Sequence, residues 1–490
     1  MFGSESKFWN ACLILAGVLL VAGIGIEGTL SVNRDAANLT HGTSRLLAGM
    51  PLVMHFAETG FNTAILLSMG SNNLLYLPAA ALAVLPGVTP ALGIKTETAV
   101  LLVVAGFALI RFCRVGRAVW PGLPLLLPAG AFALAAFPVE MYAQREHLFI
   151  LLVLPWILAR VAEAEGRENL PLPRGITSAM MVAGFLVKPY FLVIWGLVEL
   201  HRMVAARSLR PVIRWENTAL VTAYCVVYGG LLATIVWVYR IPESQLEIGA
   251  LLTHRFMTHT LHDQLIRKLS LLWLLAFPVV LLVRGPGVRV WLLATFGGVV
   301  ASIAQMRGHD YNWYPAIAFA AMTLAWGTAT STGWRKWAVG ALTAVQVLLA
   351  VVRAEIFAER EYGMAKQVDI LAPRVAELAR GGKVLFLSVN HYPFYPVLAQ
   401  TRLYSGLRFQ TLGFVTGILE PSLQVRLIGP LSEAVAYDMA AADVKVVVVA
   451  EGLDKTPIVS DLLARPAVRE AFSHYRYVET LVAHEIYVKE

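Results

Sequence analysis

The sequence predicts an α-helical polytopic membrane protein of about ten or eleven transmembrane helices with a C-terminal soluble α/β domain. Three observations predict it. Of the 490 residues, 58% are hydrophobic and only 15% are charged, where a soluble domain carries about 25%. Up to position 353 the apolar excess is gathered into blocks of roughly 15–24 residues, each long enough to cross, or nearly cross, a bilayer core of ~30 Å. Beyond 353 charges return every few residues. The chain therefore divides into a membrane part, 1–353, and a soluble part, 354–490.

The apolar blocks run 8–26, 91–112, 119–138, 148–162, 175–187, 190–201, 218–239, 269–283, 290–305, 313–328 and 338–353. The first is longer than a signal-peptide core and lacks a convincing small-residue cleavage site, so it reads as an uncleaved anchor. One set of intervening loops is basic: Arg111, Arg114 and Arg117; Arg160, Arg167 and Arg174; Arg202, Arg207, Arg210 and Arg214; Arg284 and Arg289; Arg335 and Lys336. The positive-inside rule assigns these to the cytoplasm. The loops 27–90, 139–147, 240–268 and 306–312, and the tail, then fall outside. This parity places the N-terminus in the cytoplasm and the C-terminal domain in the periplasm of a bacterial inner membrane.

Two stretches need separate treatment. The pair 175–187 and 190–201 is short, and reads either as two spans or as a re-entrant hairpin; the sidedness of every other loop is the same both ways. The apolar stretch 57–86 is interrupted by Gly70, Ser71, Asn72 and Asn73. A crossing there would turn the basic loops outward, so the outer loop 27–90 is assigned interfacial helices instead. In the tail, 384–389 and 444–450 read as strands, 360–380 and 430–442 as helices, and 480–489 as a closing strand.

The formal charge of +8 lies mostly in short loops, where it is a topology signal and not the footprint of a nucleic-acid partner. Cys12, Cys113 and Cys225 all fall inside apolar blocks and imply no disulfide framework.

Candidate chemistry lies on the outer side, where ten of the eleven histidines also fall. Asp35 follows the first helix closely, next to Arg34; an N-cap for the segment after it and a chemical role are both open to it. His55 and Glu58 come later in the same loop. The stretch 140–147 packs Glu140, Gln144, Arg145, Glu146 and His147 into a helix junction. Arg145 offers a planar fork suited to phosphate, and Glu146 either holds Arg145 or acts as a base; an interfacial ion cluster is the plain alternative. Lys188, before Pro189 at the tip of the 175–201 pair, is either a snorkelling lysine or a point charge for phosphate. Arg307, His309 and Asp310 precede Tyr311, Trp313 and Tyr314, which suit a sugar ring or the aromatic belt. In the third outer loop, with His254, His259, His262 and Asp263, His259 and His262 are one helical turn apart and could share a divalent metal, but His254 is poorly spaced and no cysteine joins them; no metal or other cofactor is expected.

These residues resemble the GT-C glycosyltransferases, which use polyprenyl-phosphate sugars and include protein O-mannosyltransferases and the lipid A aminoarabinose transferase. The resemblance rests on an acidic residue after the first transmembrane helix and a helix ending Leu-Leu-Ala-Gly-Met-Pro-Leu (46–52). It rests also on Ala-Gln-Arg-Glu-His-Leu (143–148), Val-Lys-Pro-Tyr-Phe (187–191) and Arg-Gly-His-Asp-Tyr-Asn-Trp-Tyr-Pro (307–315), which look like a poorly characterised bacterial branch. It covers most of 8–330. Relatives often carry a Pro-Pro pair where this chain reads Glu-Thr-Gly-Phe-Asn-Thr (58–63), and His309-Asp310 replaces Gly-Trp-like residues.

The resemblance implies an inverting transfer of sugar from a polyprenyl-phosphate carrier to an envelope glycan, lipid or protein acceptor. Asp35 would then be the general base, assisted by Glu58. Arg145, Lys188, Arg307 and His309 would gather round the leaving phosphate, supported by Glu146, His147, Asp310 and Tyr311. Two other classes remain open: a transporter or flippase of a lipid-linked sugar, and a non-enzymatic scaffold for envelope polysaccharide assembly.

Overall fold

The computed structural model describes residues 2–48, 75–167, 171–233, 274–305, 310–388, 392–407, 421–450 and 458–490. Each of the eleven apolar blocks carries helix. In chain order the helices are α1 (Phe2–Thr29), α2 (Arg34–Leu47), α3 (Leu77–Leu82), α4 (Pro90–Gly116), α5 (Leu126–Ala131), α6 (Arg145–Ala164), α7 (Arg174–Leu186) and α8 (Leu192–Ala206). They continue with α9 (Trp215–Ala233), α10 (Val279–Leu282), α11 (Pro286–Ala304), α12 (Tyr314–Thr330) and α13 (Gly333–Ala379). Among the described residues α1, α4, α6, α11 and α13 are each long and apolar enough to cross a membrane; the segments Leu123–Ala136 and Arg174–Leu186 are apolar but shorter.

The chain forms two compact units that do not follow the linear boundary at 353. One comprises 1–30, 98–227 and 257–361; the other comprises 31–97, 228–256 and 362–490. The physical reason is α13, a single helix of 47 residues that runs unbroken through 353. The composition changes there, but the backbone does not. Separately, the first outer loop groups with the tail.

In the first unit α11 is the central helix, packed on α6, α8 and α12. Two adjacent glycines make this possible. A Cβ on Gly297 would lie 2.8 Å from the Ile194 backbone of α8, and one on Gly298 would lie 2.8 Å from the Ala316 backbone of α12. Small residues at such contacts let helix backbones approach closely where no hydrophobic force drives them together.

The block expected at 119–138 is not one helix. It runs as a 3-10 turn (Leu123–Leu125), then α5, then a π turn (Phe132–Ala136). The π turn widens the backbone ring: Phe137 N–H donates to Phe132 O at 2.9 Å. Carbonyls that leave the regular ladder need other donors in an apolar interior. Tyr314 Oη–H supplies one to Ala133 O at 2.8 Å, and the His147 ring supplies one to Leu134 O at 2.7 Å.

The second unit is built on a four-stranded sheet in the order β1-β2-β4-β3, with β1 (Lys383–Leu387), β2 (Val444–Ala450), β3 (Tyr475–Leu481) and β4 (His484–Lys489). β1 and β2 are parallel, and β2–β4 and β4–β3 are antiparallel. Between the strands lie α14 (Phe394–Thr401), α15 (Pro421–Ala440), α16 (Ile458–Ala464) and α17 (Pro466–Phe472). Leu385, Leu387, Val447 and Val449 meet Val435, Met439, Leu462 and Val468 in its core. The single strand expected at 480–489 is a hairpin instead. Val482 and Ala483 turn the chain with φ of 49° and 58°, the geometry usually taken by Asn-Gly. Neither residue type announces it.

Candidate functional site

Asp35 sits in the first turn of α2, within the second unit. It is not the N-cap. Asn33 fills that role: its Oδ1 accepts the backbone N–H of Asp35 at 2.9 Å and of Ala36 at 3.4 Å. An N-cap side chain satisfies the donors that a helix start leaves open. Because the residue two positions earlier does this, Asp35 is spared the capping role that its sequence position allows.

The same unit fastens α2 and α3 to the tail. His41 lies between Tyr395 and Tyr404, with ring centroids at 5.8 and 5.7 Å, and its Nε2 accepts the Ser405 N–H at 3.4 Å. Arg402, left-handed at the end of α14, donates to the carbonyls of Ala83, Leu85 and Val88 after α3. These bonds tie the turn that follows α3 to the tail. At the other end of α3, Glu97 Oε2 accepts the Ala79 N–H at 3.1 Å.

Arg145, Glu146, His147, Lys188, Asp310 and Tyr311 belong to the first unit. The expected loop at 139–147 is shorter than its charge density suggests, because α6 starts at Arg145. Its approach is tightly wound: Val139 and Ala143 hold φ of 33° and 59°, a region that costs non-glycine residues energy and recurs at functional sites. Ala143 N–H donates to His147 Nδ1 at 3.1 Å. The ring proton must then be on Nε2, the atom that reaches Leu134 O. Both ring nitrogens are committed, so His147 fixes the start of α6 against the π turn.

Lys188 is neither snorkelling nor open to solvent. It is 6% exposed. The backbone is extended there, between α7 and a 3-10 turn at Pro189–Phe191. Its Nζ donates to Glu146 Oε1, to Gln305 Oε1 at 2.8 Å and to Asn312 Oδ1 at 3.3 Å, and stands 5.6 Å from the centre of the Tyr311 ring. A thirteen-residue helix such as α7 rises only ~20 Å, less than a bilayer core of ~30 Å. A lysine at the tip of so short a hairpin needs acceptors from the protein, and three elements bring them: α6, α11 and the 3-10 turn Asp310–Trp313. Glu146 thus holds Lys188, not Arg145. Glu146 Oε2 and Asn312 Nδ2 are buried with no hydrogen-bond partner among the described residues. Arg145, one residue away, is half-buried at the first position of α6.

Two arginines absent from the sequence-level candidates complete this region. Arg353 pairs with Asp310 at 3.0 Å, and Arg360 pairs with Glu140 at 2.5 Å. Both flank Phe357 on α13, at 5.1 and 5.5 Å from its ring. The signal was available in their spacing: seven residues, two helical turns, on a helix taken to end at 353.

Glu58, Arg307 and His309 lie outside the described residues, as do His55, His254, His259, His262 and Asp263, and 57–74 of the expected interfacial stretch. Among the described residues no three His, Cys, Asp or Glu side chains group as metal ligands would.

No protein-family model and no curated protein matches the chain. Among solved structures it is similar to the crystal structure of ArnT from Cupriavidus metallidurans in the apo state, at 12% identity and TM-score 0.45, over 99% of this chain and 98% of that one. It is similar also to ArnT from Cupriavidus metallidurans bound to undecaprenyl phosphate, at 13% identity and TM-score 0.47, over 97% of each chain.

Proposed function

We propose that this chain is a membrane glycosyltransferase that moves a sugar from a polyprenyl-phosphate carrier to an acceptor hydroxyl on the periplasmic face, with inversion. The observation that carries it is Asp35 in the first turn of an amphipathic helix directly after a membrane helix, with Asn33 taking the cap. In this role the Asp35 carboxylate accepts the proton of the acceptor hydroxyl. The acceptor oxygen bonds to the anomeric carbon as the bond from that carbon to the phosphate oxygen breaks. The polyprenyl phosphate departs with the electron pair. Glu58 assists Asp35.

The leaving phosphate needs positive charge. Arg145 suits it best: it opens α6, where helix N–H groups also favour an anion. Arg307 and His309 are the further candidates. Lys188 contributes only when Glu146 releases it, so its charge is held in reserve. Asp310 and Tyr311 support the turn that carries Asn312, and His147 supports the start of α6. No metal enters the scheme. The acceptor is an envelope glycan, lipid or protein.

The test is transfer by purified protein supplied with a polyprenyl-phosphate sugar and envelope acceptors. Transfer should appear and vanish in Asp35→Asn; full activity in that variant would overturn Asp35 as the base. One feature favours a second function, a lipid-linked-sugar transporter: an ion pair buried in the bundle beside an interrupted helix. Movement of a labelled lipid-linked sugar across proteoliposomes, with no glycosidic product, would establish it instead.

A further inference from the structure

Thr40 and Ser44, and His41 and Arg45, are each four positions apart on α2, and the two rows lie side by side, ~100° apart, as one broad stripe. At ~100° per residue this stripe lies on roughly the opposite side of the helix from Asp35. The stripe has an unusual property. Thr40 Oγ1, Ser44 Oγ and Arg45 Nε are buried without a hydrogen-bond partner among the described residues. Thr40 is 0% exposed and Arg45 is 8% exposed. Thr43, off the stripe, behaves as helical threonines usually do and bonds back to Leu39 O at 2.9 Å. Buried polar atoms are nearly always paired, and three unpaired on one face call for a bound group.

The chemistry of these atoms says what it is. Arg Nε–H can only donate, and both hydroxyls can. His41 Nε2 already accepts from Ser405, so its ring proton is on Nδ1, a fourth donor. Burial, then the Arg45 charge, push the His41 imidazolium down to about 3, so the ring is neutral. Burial lowers the pKa of Arg45, against the opposing effect of Tyr395, of its acidic neighbour Asp438 on α15 and of Tyr404. Arg45 makes no hydrogen bond to Asp438 among the described residues.

We infer that this stripe of α2 and the tail residues against it enclose a binding site for a phosphate oxyanion, free or on a lipid headgroup. A guanidinium and three further donors match its oxygens, and the enclosing aromatic rings lower the local dielectric that makes each bond count. The site stands apart from the proposed transfer chemistry, and its test reads binding, not transfer.

Full-length protein in detergent at neutral pH is titrated calorimetrically with inorganic phosphate and, separately, with monomeric dihexanoyl phosphatidic acid. Saturable binding is expected, weakened about tenfold or more by Arg45→Gln, which removes the charge-assisted bonds. Asp438→Asn removes the repelling carboxylate and should tighten binding roughly threefold. Tighter binding of the phosphatidic acid assigns the site to a headgroup; equal affinities assign it to free phosphate. Should Arg45→Gln fail to fold, Thr40→Val with Ser44→Ala removes two donors without a change of charge and should also weaken binding. No saturable binding of either probe, unchanged affinity in a folded donor variant, or weaker binding in Asp438→Asn, which a saccharide bridging Arg45 and Asp438 would give, would each overturn the proposal.

Discussion

Lys188 Nζ donates to Glu146 Oε1 across 42 residues of sequence, with 6% and 0% of the two residues exposed. The partners come from the tip of a short helical hairpin and the first turn of α6. Two charges in an apolar interior lose hydration, and only close pairing with further hydrogen bonds compensates. Gln305 and Asn312 supply those bonds and bring α11 and the turn before α12 to the same point.

Removal of either partner should therefore cost more than removal of both. Lys188→Met leaves a buried carboxylate and Glu146→Gln leaves a buried ammonium, each expected to cost about 3–5 kcal/mol. The double variant should recover most of that loss, measured by thermal unfolding in detergent. The functional side separates the two singles. If Lys188 also serves the donor phosphate, folded Glu146→Gln should lower the KM for the lipid-linked sugar, and folded Lys188→Met should raise it.

Asn33 offers a second, smaller lever. Asn33→Ala should destabilise α2 by about 1 kcal/mol through loss of its cap, and Asn33→Asp should not. With Asp35 as the base, Asn33→Ala should reduce kcat more than KM, because the carboxylate is displaced while substrate contacts persist. Equal kinetics in all three proteins would separate Asp35 from the chemistry. Hydrogen exchange across 33–40 reads the cap directly.

His41 makes the second unit sensitive to acid. Its imidazolium is depressed to about 3, first by burial and then by Arg45, whereas an unfolded histidine titrates near ~6.5. Between these values the unfolded chain holds the extra proton, so stability rises with pH across that window. The His41 contribution is complete above ~6.5 and is lost progressively as pH falls toward the folded value. Thermal unfolding between pH 7 and pH 4 should show this slope, and His41→Gln should flatten it.

How much of this was legible depends on the kind of signal. The eleven apolar blocks located helix, though not its bounds, because long apolar runs have few other uses. Asp35 and Lys188 stood out as charges near apolar blocks. The pairing of Lys188 did not: Glu146 was legible as a candidate but lies 42 positions away and next to Arg145, and Gln305 and Asn312 carry no charge to draw notice. The π turn at 132–136 is written in plain Phe-Ala-Leu-Ala-Ala; only the distant donors Tyr314 and His147 make it stable. Arg353 and Arg360 were hidden by a composition boundary that the α13 backbone ignores. The positive-inside count also treated Arg160, Arg202 and Arg214 as loop charges, yet all three are bonded to glutamates.

That cluster supports a last prediction. Arg160, 3% exposed, donates to Glu199 at 2.9 Å, Glu163 at 3.0 Å and Glu216 at 3.0 Å. It thereby joins α6, α8 and α9. Arg202 bridges Glu163 and Glu199 as well, at 2.7 and 2.6 Å. Arg160→Met would leave carboxylates stranded and should cost about 3–5 kcal/mol. Arg160→Lys should recover only part, since a compact ammonium cannot replace a planar fork that serves three carboxylates. Arg214 is 42% exposed and meets Glu163 at 2.7 Å; in water such a pair is worth under about 1 kcal/mol, so Arg214→Ala should barely move the melting temperature. If the chain is the glycosyltransferase proposed above, the surviving folded fraction of Arg160→Lys should work with unchanged KM. A shifted KM there would move this ion network from scaffold to substrate contact.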